Sequence, residues 1–186
     1  MPLAVTHIMV PIIVMELFRD FYPQIKEQFE RKYVFLLGMA GILPDADVVI
    51  FNIANMIGAP FPESNLGHRI LFHNVWLPLG FFVFYLIFRY LSMKNRKTMK
   101  KYSSFSKVFI IMFFGFVAHL LLDGILTGYV MPFYPISDYM MNWDIIGKLA
   151  AFTGIPQLTI LVSMDASLLM FWLWHQETEK HISDYF

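Results

Sequence analysis

The chain has 186 residues, of which 58% are hydrophobic, 18% aromatic and only 15% charged, and it contains no cysteine. Soluble domains average about 45–50% apolar and about 25% charged, so this composition argues against both an ordinary soluble globule and a disordered chain, and the length suits one domain over residues 1–186. The missing cysteine excludes disulfide frameworks, Cys-ligated zinc, iron–sulfur clusters and thiol nucleophiles, while 14 Lys plus Arg against 14 Asp plus Glu give no case for a nucleic-acid partner.

Taken in chain order, Leu3 to Phe18 is apolar apart from Thr6, His7 and Glu16. It lacks the positive start and small-residue cleavage site of a signal peptide. Tyr33 to Leu43 is apolar, breaks at Pro44-Asp45-Ala46-Asp47, and resumes from Val48 to Ile57. Val75 to Ser92 is almost wholly apolar, Val108 to Leu126 is interrupted only by His119 and Asp123, and Ile155 to Trp174 carries one charge, Asp165. A bilayer core takes about 20 helical residues. The surplus of apolar surface is too large for the core helices of a soluble protein. The sequence therefore predicts an all-α polytopic transmembrane bundle of about five crossings, the first two short. Gly58 to Asn65 and Gly128 to Asp138, rich in Gly and Pro, read as outer loops. Met93 to Lys107 reads as a basic inner connection, suited to solvent or to anionic lipid head groups.

Basic residues favour the cytoplasmic side. With the N-terminus outside and the C-terminus inside, 12 of the 14 Lys and Arg fall inside, leaving Arg69 and Lys148 outside. The expected location is the cell (inner or plasma) membrane.

Titratable groups inside membrane segments cost several kcal/mol and point to function. Here they share one depth. His7 lies 12 residues before Arg19, Asp45 lies 12 after Tyr33, His73 lies 16 before Arg89, and His119 and Asp123 lie 12 and 16 after Lys107. At 1.5 Å per residue each stands about 18–24 Å above the inner boundary. The outer half holds His7, His68, His73 and His119 with six carboxylates against two basic residues. A cluster of carboxylates and imidazoles with few cations needs positive charge, and a metal centre supplies it.

The individual motifs differ in weight. His119 and Asp123, at i and i+4, share a helix face and can reach one ion; a hydrogen-bonded pair inside a bundle also explains them. Asp45 and Asp47 sit at a proline break, where N-capping of the next helix accounts for Asp47 but not for both carboxylates. His68, Arg69 and His73 precede the third crossing. His7 alone suits a satisfied bundle histidine, and its shared depth argues for more. Asp165 is expected to be structural or to support the site from behind, and His175 and His181 read as solvated tail residues.

The ordered set His7, Leu43-Pro44-Asp45-Ala46-Asp47, His68-Arg69 with His73, His119-x-x-x-Asp123, Thr127, then Pro132 and Pro135 resembles the YdjM family. That family consists of membrane-bound proteins described as metal-dependent hydrolases, some with a LexA-binding label. More distantly, the His-x-x-x-Asp pair is similar to that of the all-α zinc-dependent phospholipase C and P1 nuclease group, in which Asp45 or Asp47 would match a metal-bridging aspartate and His68 or His73 the next histidine. No later histidine with a following Glu occurs on the outer side here.

Mixed imidazole and carboxylate donors suit Zn²⁺, Mn²⁺ or Fe²⁺. The candidate ligands His7, Asp45, Asp47, His68, His73, His119 and Asp123 exceed one tetrahedral site and suit two ions, with zinc the expected metal. Such a pair lowers the pKa of a bridging water and clamps an oxyanion, so phosphoester hydrolysis is its natural use. Arg69 would bind phosphate through its guanidinium fork, Asp45 would act in catalysis, and Thr127 would orient a ligand or substrate. At the outer interface the substrate would be an amphiphile such as a phospholipid or polyprenyl phosphate, with membrane lipids as surroundings. The alternatives are a non-catalytic metal-binding or metal-transporting protein and a cluster that only staples the helices.

Overall fold

The computed structural model describes residues 3–58, 72–94 and 98–180. They form helices α1 (Ala4–Phe21), α2 (Pro23–Gln28), α3 (Arg31–Ile42), α4 (Ala46–Met56), α5 (Trp76–Lys94), α6 (Met99–Leu126), α7 (Ile145–Thr153) and α8 (Gln157–Lys180), with a 3-10 turn at Leu43–Asp45 between α3 and α4. The only pairing of strand type among the described residues is an isolated bridge between Val130 and Met141. The architecture is the all-α membrane bundle that the sequence predicts.

Among the described residues, four segments are long and apolar enough to cross a membrane: Arg31–Ile50, Trp76–Lys94, Met99–Leu126 and Gln157–Thr178. The first runs through the break at Pro44 instead of stopping there, because the 3-10 turn at Leu43–Asp45 joins α3 to α4 without an intervening loop. α1, expected as a crossing of its own, is 18 residues long but carries Glu16, Arg19 and Asp20 near its foot. The sequence reading passed over α7, which is capped by Asp144 accepting from the Gly147 amide at 3.1 Å.

Small residues set the packing of α1, α3 and α6. A Cβ on Gly41 would strike the His7 carbonyl oxygen, and one on Gly115 would strike Ala40. The three backbones approach this closely because those positions are glycine, the usual way membrane helices associate when lipid competes equally for apolar side chains. Pro11 lies inside α1 and is buried. Its ring nitrogen cannot donate to the carbonyl four residues earlier, which is that of His7, and Gly41 packs against this freed carbonyl.

α5 and α6 form a hairpin held by aromatic side chains. Phe88 stacks on Phe109 with ring centres 5.3 Å apart, and Phe81 meets Phe116 edge-on at 5.2 Å. Such pairs contribute about 0.5–1.5 kcal/mol each beyond the area they bury. α8 lies against α1 and α7. The segment after α6 folds over one end of the bundle. The Val75 amide donates to the Pro132 carbonyl at 2.9 Å, the Trp76 indole N–H to the Tyr134 carbonyl at 2.8 Å, and the Trp143 amide to the Gly124 carbonyl at 2.9 Å.

Candidate metal centre

Under this folded segment, side chains from separate stretches of the chain meet. His7 comes from α1, Asp45 from the 3-10 turn, His73 from the residues leading into α5, and His119 and Asp123 from α6. The side chains of His7, His73, His119 and Asp123 are fully buried; that of Asp45 is 22% exposed.

Each is placed by a local cause. His119 and Asp123 share the buried face of α6 through their four-residue spacing, with 3.7 Å between Nε2 and Oδ2. Pro44 forces the turn that carries Asp45. His73 lies outside any helix, and the Val75 and Trp76 hydrogen bonds to the 132–134 segment hold its stretch of backbone. His7 is set by the Pro11–Gly41 contact, and its ring stacks on His119 at 4.1 Å.

The protons can be assigned from the partners. His119 Nδ1 lies 2.7 Å from the Gly41 carbonyl, which can only accept, so Nδ1 carries the hydrogen and Nε2 presents a lone pair. His73 Nδ1 lies 3.2 Å from Asp47 Oδ2, so it too donates and directs Nε2 inward. The two Nε2 atoms are 3.1 Å apart. His73 Nε2 is 3.5 Å from both Asp45 Oδ1 and Asp123 Oδ2, and His119 Nε2 is 3.6 Å from Asp45 Oδ1. His7 Nε2 lies 3.3 Å from Asp123 Oδ1, close but without hydrogen-bond alignment.

Lone pairs and carboxylate oxygens facing one another repel unless positive charge lies among them. A proton on His73 supplies one unit: burial opposes it, but the carboxylates of Asp123, Asp45 and Asp47 prevail and hold its pKa up to about 10. A divalent ion supplies two. Neighbouring donors on a shell of 2.0–2.2 Å stand about 2.9–3.6 Å apart, the spacing found here. Two overlapping triads can hold a cation, His7 with His119 and Asp123, or Asp45 with His73 and His119; they share the single free lone pair of His119 Nε2, which serves one ion.

The hydrogen-bond inventory agrees. Both ring nitrogens of His7, Asp45 Oδ1, Asp47 Oδ1, both oxygens of Asp123 and the hydroxyl of Thr127 are buried without a hydrogen-bond partner. Buried polar atoms are normally satisfied, and the orphans on His7, Asp45 and Asp123 belong to the groups that could hold a metal ion.

Of the residues the sequence singled out, His7, Asp45, His73, His119 and Asp123 converge. Asp47 approaches from behind and touches His73. Thr127 is fully buried at the C-terminal end of α6. His68 and Arg69 lie outside the described residues, as does His181. Asp165 accepts a hydrogen bond from the Thr6 hydroxyl, next to His7, in keeping with a supporting role. His175 departs from the expectation of a solvated tail. It is 12% exposed and lies 3.1 Å from Asp20 Oδ2, because α8 continues to Lys180 and brings its last turns against the foot of α1. Thr6 and Gly41 escaped the sequence reading. A threonine in an apolar helix has no signature, whereas the small-residue run Gly38-Met39-Ala40-Gly41 is a legible sign of close helix packing.

A buried His/Asp cluster inside a helical membrane bundle is now combined with a family profile that matches residues 1–182. The chain belongs to the YdjM inner membrane protein family. No curated protein and no solved structure matches it. The more distant likeness to zinc phospholipases and nucleases thus remains one of motif. The family, described as inner membrane proteins, and the four apolar helices make the chain a membrane protein, and the match runs through every residue of the cluster.

Proposed function

We propose that this YdjM protein is a membrane-bound metal-dependent hydrolase that cleaves phosphoesters at the His/Asp cluster. The observation that carries the reading is the convergence of three imidazole rings with the Asp45 and Asp123 carboxylates, where both ring nitrogens of His7, Asp45 Oδ1 and both oxygens of Asp123 have no hydrogen-bond partner. The donor set suits two divalent transition ions, zinc before manganese or iron.

When bound, such ions supply an acidified water and a clamp for phosphate oxygens. His7, His119 and Asp123 would hold one side of such a centre, and Asp45 and His73 the other. Asp47 keeps the His73 ring turned inward, and the Gly41 carbonyl does the same for His119. Asp45 is the cluster member open to its surroundings; there it would face entering substrate and would take the proton from the attacking water. The unpartnered hydroxyl of Thr127 donates to a phosphate oxygen, and Arg69 binds the phosphate by its fork. The distribution of Lys and Arg favours a site facing the extracytoplasmic side, where the substrate is an amphiphilic phosphoester.

The test is elemental analysis of the purified protein together with turnover of a soluble chromogenic phosphodiester. Stoichiometric zinc and metal-dependent turnover are expected, with a loss of about 10²–10⁴-fold in Asp45→Asn and loss of metal in His119→Ala, both folded. Protein that carries metal, turns nothing over and moves the ion into proteoliposomes is a transporter, and the hydrolase reading fails.

A further inference from the structure

We propose that the cavity beneath the cluster seats the hydrocarbon tail of the substrate, so that the enzyme acts on a phosphoester bearing one long apolar chain. This rests on the hydrolase reading and adds to it the part of the substrate remote from the reaction.

The cavity is about 400 Å³. It lies between α1 and α6, with Leu37 of α3 behind it. Its walls are apolar throughout. Its upper end is fixed by Pro11, one turn along α1 from His7, and by Ala118, the residue before His119. The stacked rings of His7 and His119 thus stand next to its upper end, on α1 and α6. Its lower end is fixed by α2 and the residue that follows it: Ile25 and Phe29 turn into the cavity while Gln24, Lys26, Glu27 and Gln28 stay exposed. From Pro11 to Phe18 the space runs about 10 Å along α1.

An apolar cavity of this kind does not hold water, and within a bilayer the available filler is hydrocarbon. Two features distinguish a tail of the substrate from bulk lipid. One end stands at the reactive cluster, where a phosphate head would lie, and the other is floored by side chains that α2 turns inward. The direction also suits an outer-leaflet amphiphile, head at the cluster and tail toward the inner face. A second apolar cavity of about 530 Å³ shares Val14 and Phe18 with the first, so a chain longer than the first cavity passes out between these two side chains.

The test uses the full chain in detergent with a synthetic alkyl phosphodiester carrying a photoreactive diazirine within its chain, the labelled residues being mapped by mass spectrometry. Label on Met15, Leu37 and Phe114, at least several-fold above that on Leu79 of α5 or Met170 of α8 and displaced by unlabelled diester, is the expected result. Val14→Trp, and independently Ala118→Phe from the α6 side, should reduce that label several-fold with metal content unchanged. Equal label over α5 and α8, or no effect of either variant, overturns the tail seat in favour of ordinary boundary lipid. Label in the cavity without cleavage of the probe upholds the seat and sinks the hydrolase. Cleavage with label only on the outer faces does the reverse.

Discussion

The hydroxyl of Thr6 on α1 donates to the carboxylate of Asp165 on α8, joining α1 to a helix that faces mostly outward. Thr6 is fully buried and Asp165 nearly so, so each would be left poorly satisfied without the other. Interhelical hydrogen bonds in membranes contribute about 0.6 kcal/mol on average and seldom more than about 1.7. Thr6→Val and Asp165→Ala are each expected to destabilise the protein by roughly 1 kcal/mol, with the double variant costing little more than either single one. Because His7 follows Thr6, zinc affinity should fall several-fold in both. Thermal unfolding followed by tryptophan fluorescence, with chelator competition, measures these effects; strictly additive losses would show that the two side chains do not act as a pair.

Asp47 stands to His73 as a carboxylate stands to a metal-bound histidine elsewhere, fixing the tautomer and aim of the ring. Its Oδ2 meets Nδ1 at 3.2 Å, on the side of the imidazole away from the other donors. Loss of such an orienting partner weakens metal binding by about 10–100-fold. Asp47→Ala should therefore retain metal at saturating zinc but bind it more weakly by that factor, with Asp47→Asn less affected because its amide oxygen still accepts. Asp123→Asn should lose stoichiometric metal altogether. Chelator competition against each purified variant separates the two classes, and equal behaviour of Asp47→Ala and Asp123→Asn would make Asp47 a direct ligand.

Much of this was legible before any coordinates. Runs of apolar residues near bilayer length fixed the fold class, and counting residues from the basic boundaries placed His7, Asp45, His73, His119 and Asp123 at one depth. What counting could not supply was azimuth. Depth says that Asp47 and Asp45 are neighbours; only the 3-10 turn at Pro44 shows that one reaches the cluster while the other stands behind His73. The pairing of His175 with Asp20 was hidden for a related reason. A histidine past the last apolar residue looks solvated unless the following polar residues are seen to continue the helix back along α1. α7 was missed because nine residues between two loops leave a short pattern, whereas its cap at Asp144 is a local signal that could have been read.

Gly41 has two duties that a single methyl group would break. Its Cα faces the His7 carbonyl, and its own carbonyl accepts from His119 Nδ1 at 2.7 Å. Gly41→Ala puts a carbon against backbone rather than against a flexible side-chain end, so α1 and α3 must separate. Overpacking of this kind costs about 1–3 kcal/mol. The shift displaces His7 and the acceptor of His119 together, and zinc content should fall along with stability. Gly80 of α5 is the internal control, since a Cβ there meets nothing within 4 Å. Gly80→Ala should leave both unchanged, and a Gly41→Ala variant that binds zinc normally would show that the crossing does not position the cluster.

If the cluster holds a metal as proposed, the proton on His73 and the ion compete for the same place. In the metal-free protein the carboxylates around His73 raise its pKa from the ordinary 6.5 to about 10. A raised pKa means that the folded state binds the proton more tightly than the unfolded one. Its stabilisation is complete below about pH 6.5 and is lost as pH climbs through about 10. On the proposed reading, zinc would have to displace this proton to use Nε2, so that binding would release it. Apparent zinc affinity should then rise by up to about tenfold per pH unit between roughly 6.5 and 10, with the metal-free protein losing thermal stability over the same interval and the zinc-bound protein holding it. Titration at pH 6.5, 7.5 and 8.5 in buffers of different ionisation enthalpy counts the protons released. His73→Gln should flatten the affinity profile, since glutamine does not titrate, and a slope that survives this substitution would move the competing proton to another group of the cluster.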